Sequence, residues 1–206
     1  MTNQMTLLDV VNGGADEPDV QNFFEKFPEG LTGSIYLLGN VVIRKFKLGA
    51  DYIPDFAYVQ PMSGRTYMHL VEIESPKKNI FTQNDEFTKE FNQALQQVRD
   101  WMQWVHQNSQ TLMQQIEPLR VGNYDTLYNP IARGTLIFGR RGETEANQRR
   151  RERWAGIKDQ CASQVSIYSY DGIAEANQKT LPPNLGSGLV HCVAYQGRDF
   201  VRIAHV

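Results

Sequence analysis

Two hydrophobic periods run through the chain. Over residues 56–60 and 67–74 apolar and polar positions follow a period of two, as strands do when successive side chains point to opposite faces. Pro61-Met62-Ser63-Gly64-Arg65 lies between them with turn chemistry, so this stretch predicts a hairpin. Residues 33–38 and 41–48 are two more β-rich runs, separated by Gly39-Asn40, a spacer suited to a tight turn because Gly accepts φ > 0. Residues 33–74 therefore predict an antiparallel sheet of about four strands. Elsewhere the period is that of a helix. Asp16 reads as an N-cap and Pro18 as a first-turn residue of a helix over 17–27, with Val20, Phe23, Phe24 and Phe27 as its apolar face. A long helix, capped by Asn84 or Asp85 and stopped by Pro118, carries Phe87, Phe91, Leu95, Val98, Met102, Val105, Leu112 and Ile116 at three- and four-residue spacing, which marks core.

The remaining pattern alternates strand and helix. Residues 134–138 read as a buried strand, 144–163 as a helix, 164–168 as a strand and 171–179 as a short helix that Asp171 caps. Residues 118–133 make a long loop, 181–187 a linker, and 189–195 with 200–204 a last hairpin. Residues 7–11 read as a short strand or arm ended by Gly13-Gly14. These elements predict an α/β (α+β) fold with a mixed central sheet of five or six strands flanked by helices. The expected organisation is an N-terminal arm over 1–16, one domain over 17–180, and a C-terminal hairpin over 181–206 packed on the same domain.

Composition narrows the class. A chain of 206 residues, 41% hydrophobic and 21% charged, is that of an ordinary globular protein with a sizeable core. Its net charge of −2 provides no global basic field, so any nucleic-acid contact must come from a local patch. Cys161 and Cys192 form no CxxC and read as free thiols of a reducing, cytoplasmic compartment. No apolar run is long enough to span a membrane, and the N-terminus has no secretory pattern. No zinc spacing, nucleophile elbow, P-loop or GxGxxG stands out.

The chemistry concentrates near the first hairpin. On the 67–74 strand, Glu72 and Glu74 share a face about 7 Å apart. Asp55 sits at the mouth of the neighbouring strand. Three carboxylates meeting at strand ends suit Mg²⁺, which takes hard oxygen ligands. A second concentration is basic. Between Arg140 and Asp159 lie seven basic and four acidic residues, a local +3. Arg140, Arg141, Arg149, Arg150 and Arg153 there read either as a solvated face with i,i+4 pairs such as Glu145–Arg149 or as phosphate contacts to DNA.

The pattern Pro54-Asp55…Glu72-x-Glu74 resembles the PD-(D/E)XK nuclease superfamily, departing at the last position, where Glu74 replaces the usual lysine. VEIESPKKNIFT, QQVRDW, GTLIFGRRGE and IYSYDGI, in that order, resemble the nuclease domain of the Shedu antiphage defence protein over roughly residues 17–180. The resemblance implies a restriction-endonuclease-like fold, homo-oligomerisation, and a Mg²⁺- or Mn²⁺-dependent endodeoxyribonuclease. In that reading Asp55 and Glu72 hold the metal, and Glu74 is a general base or further ligand. Lys77 or Lys78 replaces the missing ammonium. The resemblance also assigns Glu17 as a first-helix acid aimed at the metal and Gln97 as a polar residue approaching the site. Read alone, Glu17 is a first-turn acid and Gln97 a surface glutamine. Two other readings are a catalytically inactive nucleic-acid-binding module and a protein-interaction module whose acids form ion pairs with Lys77 and Lys78.

Overall fold

The architecture comes from a computed structural model that describes residues 5–33, 35–50, 52–120, 127–128, 130–180, 189–196 and 199–203. Its elements, in chain order, are α1 (Leu7–Asn12), α2 (Glu17–Lys26), α3 (Glu29–Thr32), β1 (Val41–Arg44), β2 (Phe56–Met62), β3 (Arg65–Ile73), α4 (Lys89–Gln107), α5 (Ser109–Ile116), β4 (Pro130–Ile137), α6 (Arg141–Thr144), α7 (Gln148–Cys161), β5 (Val165–Tyr168), α8 (Tyr170–Thr180), β6 (His191–Gln196) and β7 (Asp199–Arg202). The strands form one mixed seven-stranded sheet in the order β5-β4-β3-β2-β1-β6-β7. The predicted hairpin is β2–β3, antiparallel, while β3–β4, β4–β5 and β1–β6 are parallel. A parallel neighbour requires a crossover, and α4 with α5 supplies the one from β3 to β4.

Alternation along the strands divides the interior into two cores. Met68 and Leu70 of β3 join Phe91, Leu95, Val98, Trp101 and Val105 of α4 on one face. Val71 and Ile73 join Val20, Phe23 and Phe24 of α2 and Tyr170 and Ile173 of α8 on the other. Gly134 in β4 permits the first packing. A Cβ there would stand 2.4 Å from Val98 and 3.1 Å from the sulfur of Met102.

Several boundaries depart from expectation. Residues 7–11 lie in helix α1, capped reciprocally by Thr6 and Asp9, not in a strand. Residues 35–37 pair with nothing as a strand, because both neighbours of β1 are already taken by β2 and β6. Gly39 and Asn40, both at positive φ, introduce β1 rather than turn a hairpin. The long helix is two, divided at Asn108, whose side chain donates to the Trp104 carbonyl at 3.0 Å. Its cap is Thr88, whose hydroxyl accepts the Phe91 N–H at 3.2 Å, in place of Asn84 or Asp85. The helix expected over 144–163 begins at the Asn147 cap, and residues 141–144 make their own turn. The last hairpin extends the sheet, with β6 lying against β1. Linker 181–187 lies outside the described residues. Both cysteines are buried and unpaired by disulfide, and no helix among the described residues is long and apolar enough to cross a membrane.

Candidate active site

The strand registers bring the acids together. β1 pairs Arg44 with Phe56, and β2 pairs Phe56 with Val71. One step further along the same registers, Lys45, Asp55 and Glu72 fall in a row across three adjacent strands, on one face of the sheet. Asp55 and Glu72 are buried at 4% and 8% exposure. Asp55 Oδ2 accepts the Ile73 N–H at 2.9 Å, and its carbonyl accepts the Lys45 N–H at 2.8 Å. The Lys45 ammonium donates to Asp55 Oδ1. Glu74 follows β3, its N–H bonded to the Ile137 carbonyl at 3.0 Å and its own carbonyl accepting the Tyr170 hydroxyl at 2.6 Å. The Glu74 carboxylate accepts the Lys78 ammonium.

Glu17 joins from across the fold. Asp16 caps α2 and accepts from the Ser75 hydroxyl and, at 3.2 Å, from the Lys77 ammonium. This tie fastens the start of α2 to the segment after β3. Lys77 is thereby turned onto Asp16, more than half exposed. Gln97 is exposed on α4, beside the buried stripe.

Electrostatics register the crowding. Burial holds Glu72 far above the usual carboxylate range, and the adjacent Asp55 and the charge of Glu74 push it the same way against Lys45. Glu17 is raised first by burial, then by the charges of Asp55 and Glu74, with Lys78 and Lys45 opposing. Tyr170 is kept neutral by burial and by the charges of Asp55, Glu17, Glu74 and Glu72. Burial lowers Lys78, but its hydrogen bond to Glu74 and the charges of Glu74, Glu17 and Glu72 outweigh that and raise it. Asp55 and Glu74 thus act on both Glu17 and Glu72, with Lys45 opposing at both and Lys78 at Glu17.

The donor set is all carboxylate, the chemistry a hard divalent cation takes. As the side chains are placed, no three His, Cys, Asp or Glu residues among those described are arranged to hold a metal ion. Asp55 and Glu74 are each closed on a lysine instead. The acids match a hard divalent ion in donor type, and Asp55 and Glu74 would have to release their lysines to hold one.

The basic stretch is largely tied internally. Arg140 grips Asp171 bidentately at 2.9 and 2.8 Å and reaches Asn12 at 2.9 Å. Arg141 pairs with Glu175, and Arg150 pairs with Asp85 and the Thr82 carbonyl. These three are fastenings between elements rather than free cations. Among the described residues Arg149 and Arg153 have no ion-pair partner within salt-bridge distance. Asp171, expected as a helix cap, mainly receives Arg140, which holds its carboxyl at about 2, together with the Arg141 N–H.

Sequence reasoning missed Lys45 and Tyr170. Lys45 was hidden in a run with Arg44 and Lys47 that reads as a solvated strand face. The signal for Tyr170 was its place beside Asp171 at a strand-to-helix turn, which says nothing of the Glu74 carbonyl it meets.

Fold and site together define an α/β protein built on a mixed sheet, with carboxylates, Asp55 and Glu72 buried among them, gathered where α2, β2 and β3 meet. The chain matches the family model described as Shedu protein SduA, C-terminal, over residues 14–173. It belongs to the Shedu family, an antiviral defence family. No curated protein matches it.

Proposed function

We propose that this chain is a divalent-metal-dependent nuclease that hydrolyses DNA phosphodiester bonds, used in defence against phage. The observation that carries the reading is that buried Asp55 and half-buried Glu74 bear by charge on both Glu72, itself buried, and Glu17 at the start of α2. Clustered carboxylates left uncompensated raise one another's pKa, and a divalent ion relieves that cost. Asp55 and Glu72 would hold Mg²⁺ or Mn²⁺, with Glu17 and Glu74 as further oxygen donors. When bound, such an ion polarises a phosphoryl oxygen and lowers the pKa of a water. Glu74, held in place through its backbone by Ile137 and Tyr170, is suited to accept the proton of the attacking water. Tyr170, neutral and fixed, keeps that strand end rigid. Of Arg140, Arg141, Arg149, Arg150 and Arg153, Arg149 and Arg153 are the two without an ion pair among the described residues and so available to phosphates.

A second reading has its own observation. Asp55 and Glu74 already hold lysines, as a structural ion-pair site in a protein-interaction module would. Heat denaturation with millimolar Mg²⁺ or Mn²⁺ separates the two. The nuclease reading expects divalent ions to raise Tm by the linkage RT ln(1 + [L]/Kd), and Glu72→Ala to abolish both that shift and cleavage of linear DNA. Absence of any ion-dependent shift and of any cleavage in the parent would leave the interaction module standing.

A further inference from the structure

The motif this site resembles places a lysine two residues beyond the metal-binding Glu. Here that position is Glu74, and its carboxylate holds Lys78. On the nuclease reading, the charge that such a lysine supplies would come from another element. Lys77 is bound to Asp16 at the start of α2. Lys45 is different in three respects. It continues the register row Lys45–Asp55–Glu72, one strand spacing of about 4.8 Å from Asp55. Its backbone sits at φ 48°, left-handed, where a non-glycine residue is uncommon and strain tends to mark a functional position. Its ammonium meets Asp55, whose side chain is 5% exposed, while the Lys45 side chain is 41% exposed, so the cation stands where the buried acids meet solvent.

The alternation of β1 makes the placement specific. Val41 and Ile43 face the α4 core and Val42 faces the other. Arg44 turns to Glu25 on the far side, so Lys45 is the first residue past the strand end on the face of Asp55 and Glu72.

We propose that Lys45 supplies the reacting phosphate with the positive charge that Glu74 cannot, an assignment that rests on the nuclease reading. In the reaction a bond forms between the water oxygen and phosphorus, and the bond from phosphorus to the leaving oxygen breaks. The water proton passes to a carboxylate, and the leaving oxygen takes a proton from solvent. Lys45 keeps its own proton throughout and offsets the charge that gathers on the phosphoryl oxygens. In the free protein Asp55 holds the ammonium in readiness at the site.

The test compares Lys45→Met, Lys45→Arg and Lys78→Met with the parent, by cleavage kinetics on linear DNA and by Tm with and without Mn²⁺. Lys45→Met should keep the parent's ion-dependent rise in Tm, since it removes a competitor for Asp55 and no donor to the ion. Its kcat should fall about 10²-fold to 10³-fold, as loss of a charge-stabilising donor does, with KM changed by no more than about threefold. Lys45→Arg should recover about tenfold of that loss, and Lys78→Met should lose less than about tenfold. The assignment is overturned if Lys45→Met cleaves at the parental rate, if Lys78→Met loses more, or if Lys45→Met loses the ion-dependent shift or fails to fold with Mn²⁺, which would mark a structural tie. A parent that shows neither ion-dependent stabilisation nor cleavage overturns the nuclease reading itself and this assignment with it. A parent that cleaves while Lys45→Met is unimpaired overturns the assignment alone.

Discussion

Glu72 is buried beside Asp55, within the influence of Glu74, so the folded chain favours its protonated form. The folded pKa therefore lies above the value of 4.5 for a free glutamate. Below the unfolded pKa both states hold the proton and Glu72 costs nothing. As pH rises, the unfolded chain ionises first, and stability is lost progressively up to the folded pKa. In a chelating buffer, calorimetry from pH 5 to 9 should show Tm of the parent falling with pH more steeply than Tm of Glu72→Gln, with the variant the more stable at pH 8. A variant less stable than the parent at pH 8, with the same pH slope, would mean that Glu72 is ionised and compensated in the fold. The same residue shows what was legible at this scale. Alternation along 67–74 puts Glu72 and Glu74 on one face, and the turn, expected over 61–65 and confined to Ser63-Gly64 because the strands pair out to Met62 and Arg65, sets the register that brings Asp55 opposite Glu72. Lys45 was not legible, because 41–48 reads as one strand and the left-handed break that ends it at Arg44 has no glycine to announce it.

Among the elements, α4 and β4 meet most tightly at Gly134, since a Cβ there would meet Val98 at 2.4 Å, Met102 at 3.1 Å and Val165 at 3.2 Å. Gly134→Ala should therefore cost about 1–3 kcal/mol through overpacking, measured by urea denaturation. A cost near zero would mean that α4 can ride away from the sheet. Helices α2, α7 and α8 and the β2–β3 hairpin were legible because each encodes its own period, whereas α1, six residues long, read as a strand or arm and the break at Asn108 between α4 and α5 carried no mark. The neighbour of β1 was not, since β6 lies some 150 positions downstream and carries no local mark of its partner. The same holds for Glu17. Its helix is plain from Asp16 and Pro18, but its place beside Asp55 and Glu74 depends on Ser75 and Lys77 holding Asp16 across 59 and 61 positions.

At the scale of the whole molecule, the net charge of −2 means that DNA must be drawn to a local surface. The arginine-rich stretch supplies two kinds of residue that sequence alone cannot separate. Arg140 joins Asp171 and Asn12, tying α8 and α1 to the end of β4. Arg149 is exposed and Arg153 half-buried on α7, one helical turn apart on the same side. If the latter pair binds phosphates, removing either arginine should reduce the slope of log K against log salt by about 0.9. Arg149→Ala/Arg153→Ala should therefore flatten that slope by nearly two while leaving Tm within about a degree, since surface changes away from buried groups are close to neutral. Arg140→Ala should behave in the opposite way, costing about 1–2 kcal/mol of stability as its charge-assisted hydrogen bonds disappear and leaving the slope unchanged. Fluorescence anisotropy of a labelled duplex, titrated at several salt concentrations under conditions where cleavage is blocked by Glu72→Gln, reads the first quantity, and denaturation reads the second. A slope unaltered in the double variant but lowered in Arg140→Ala would move the DNA surface from α7 to the junction of β4 and α8.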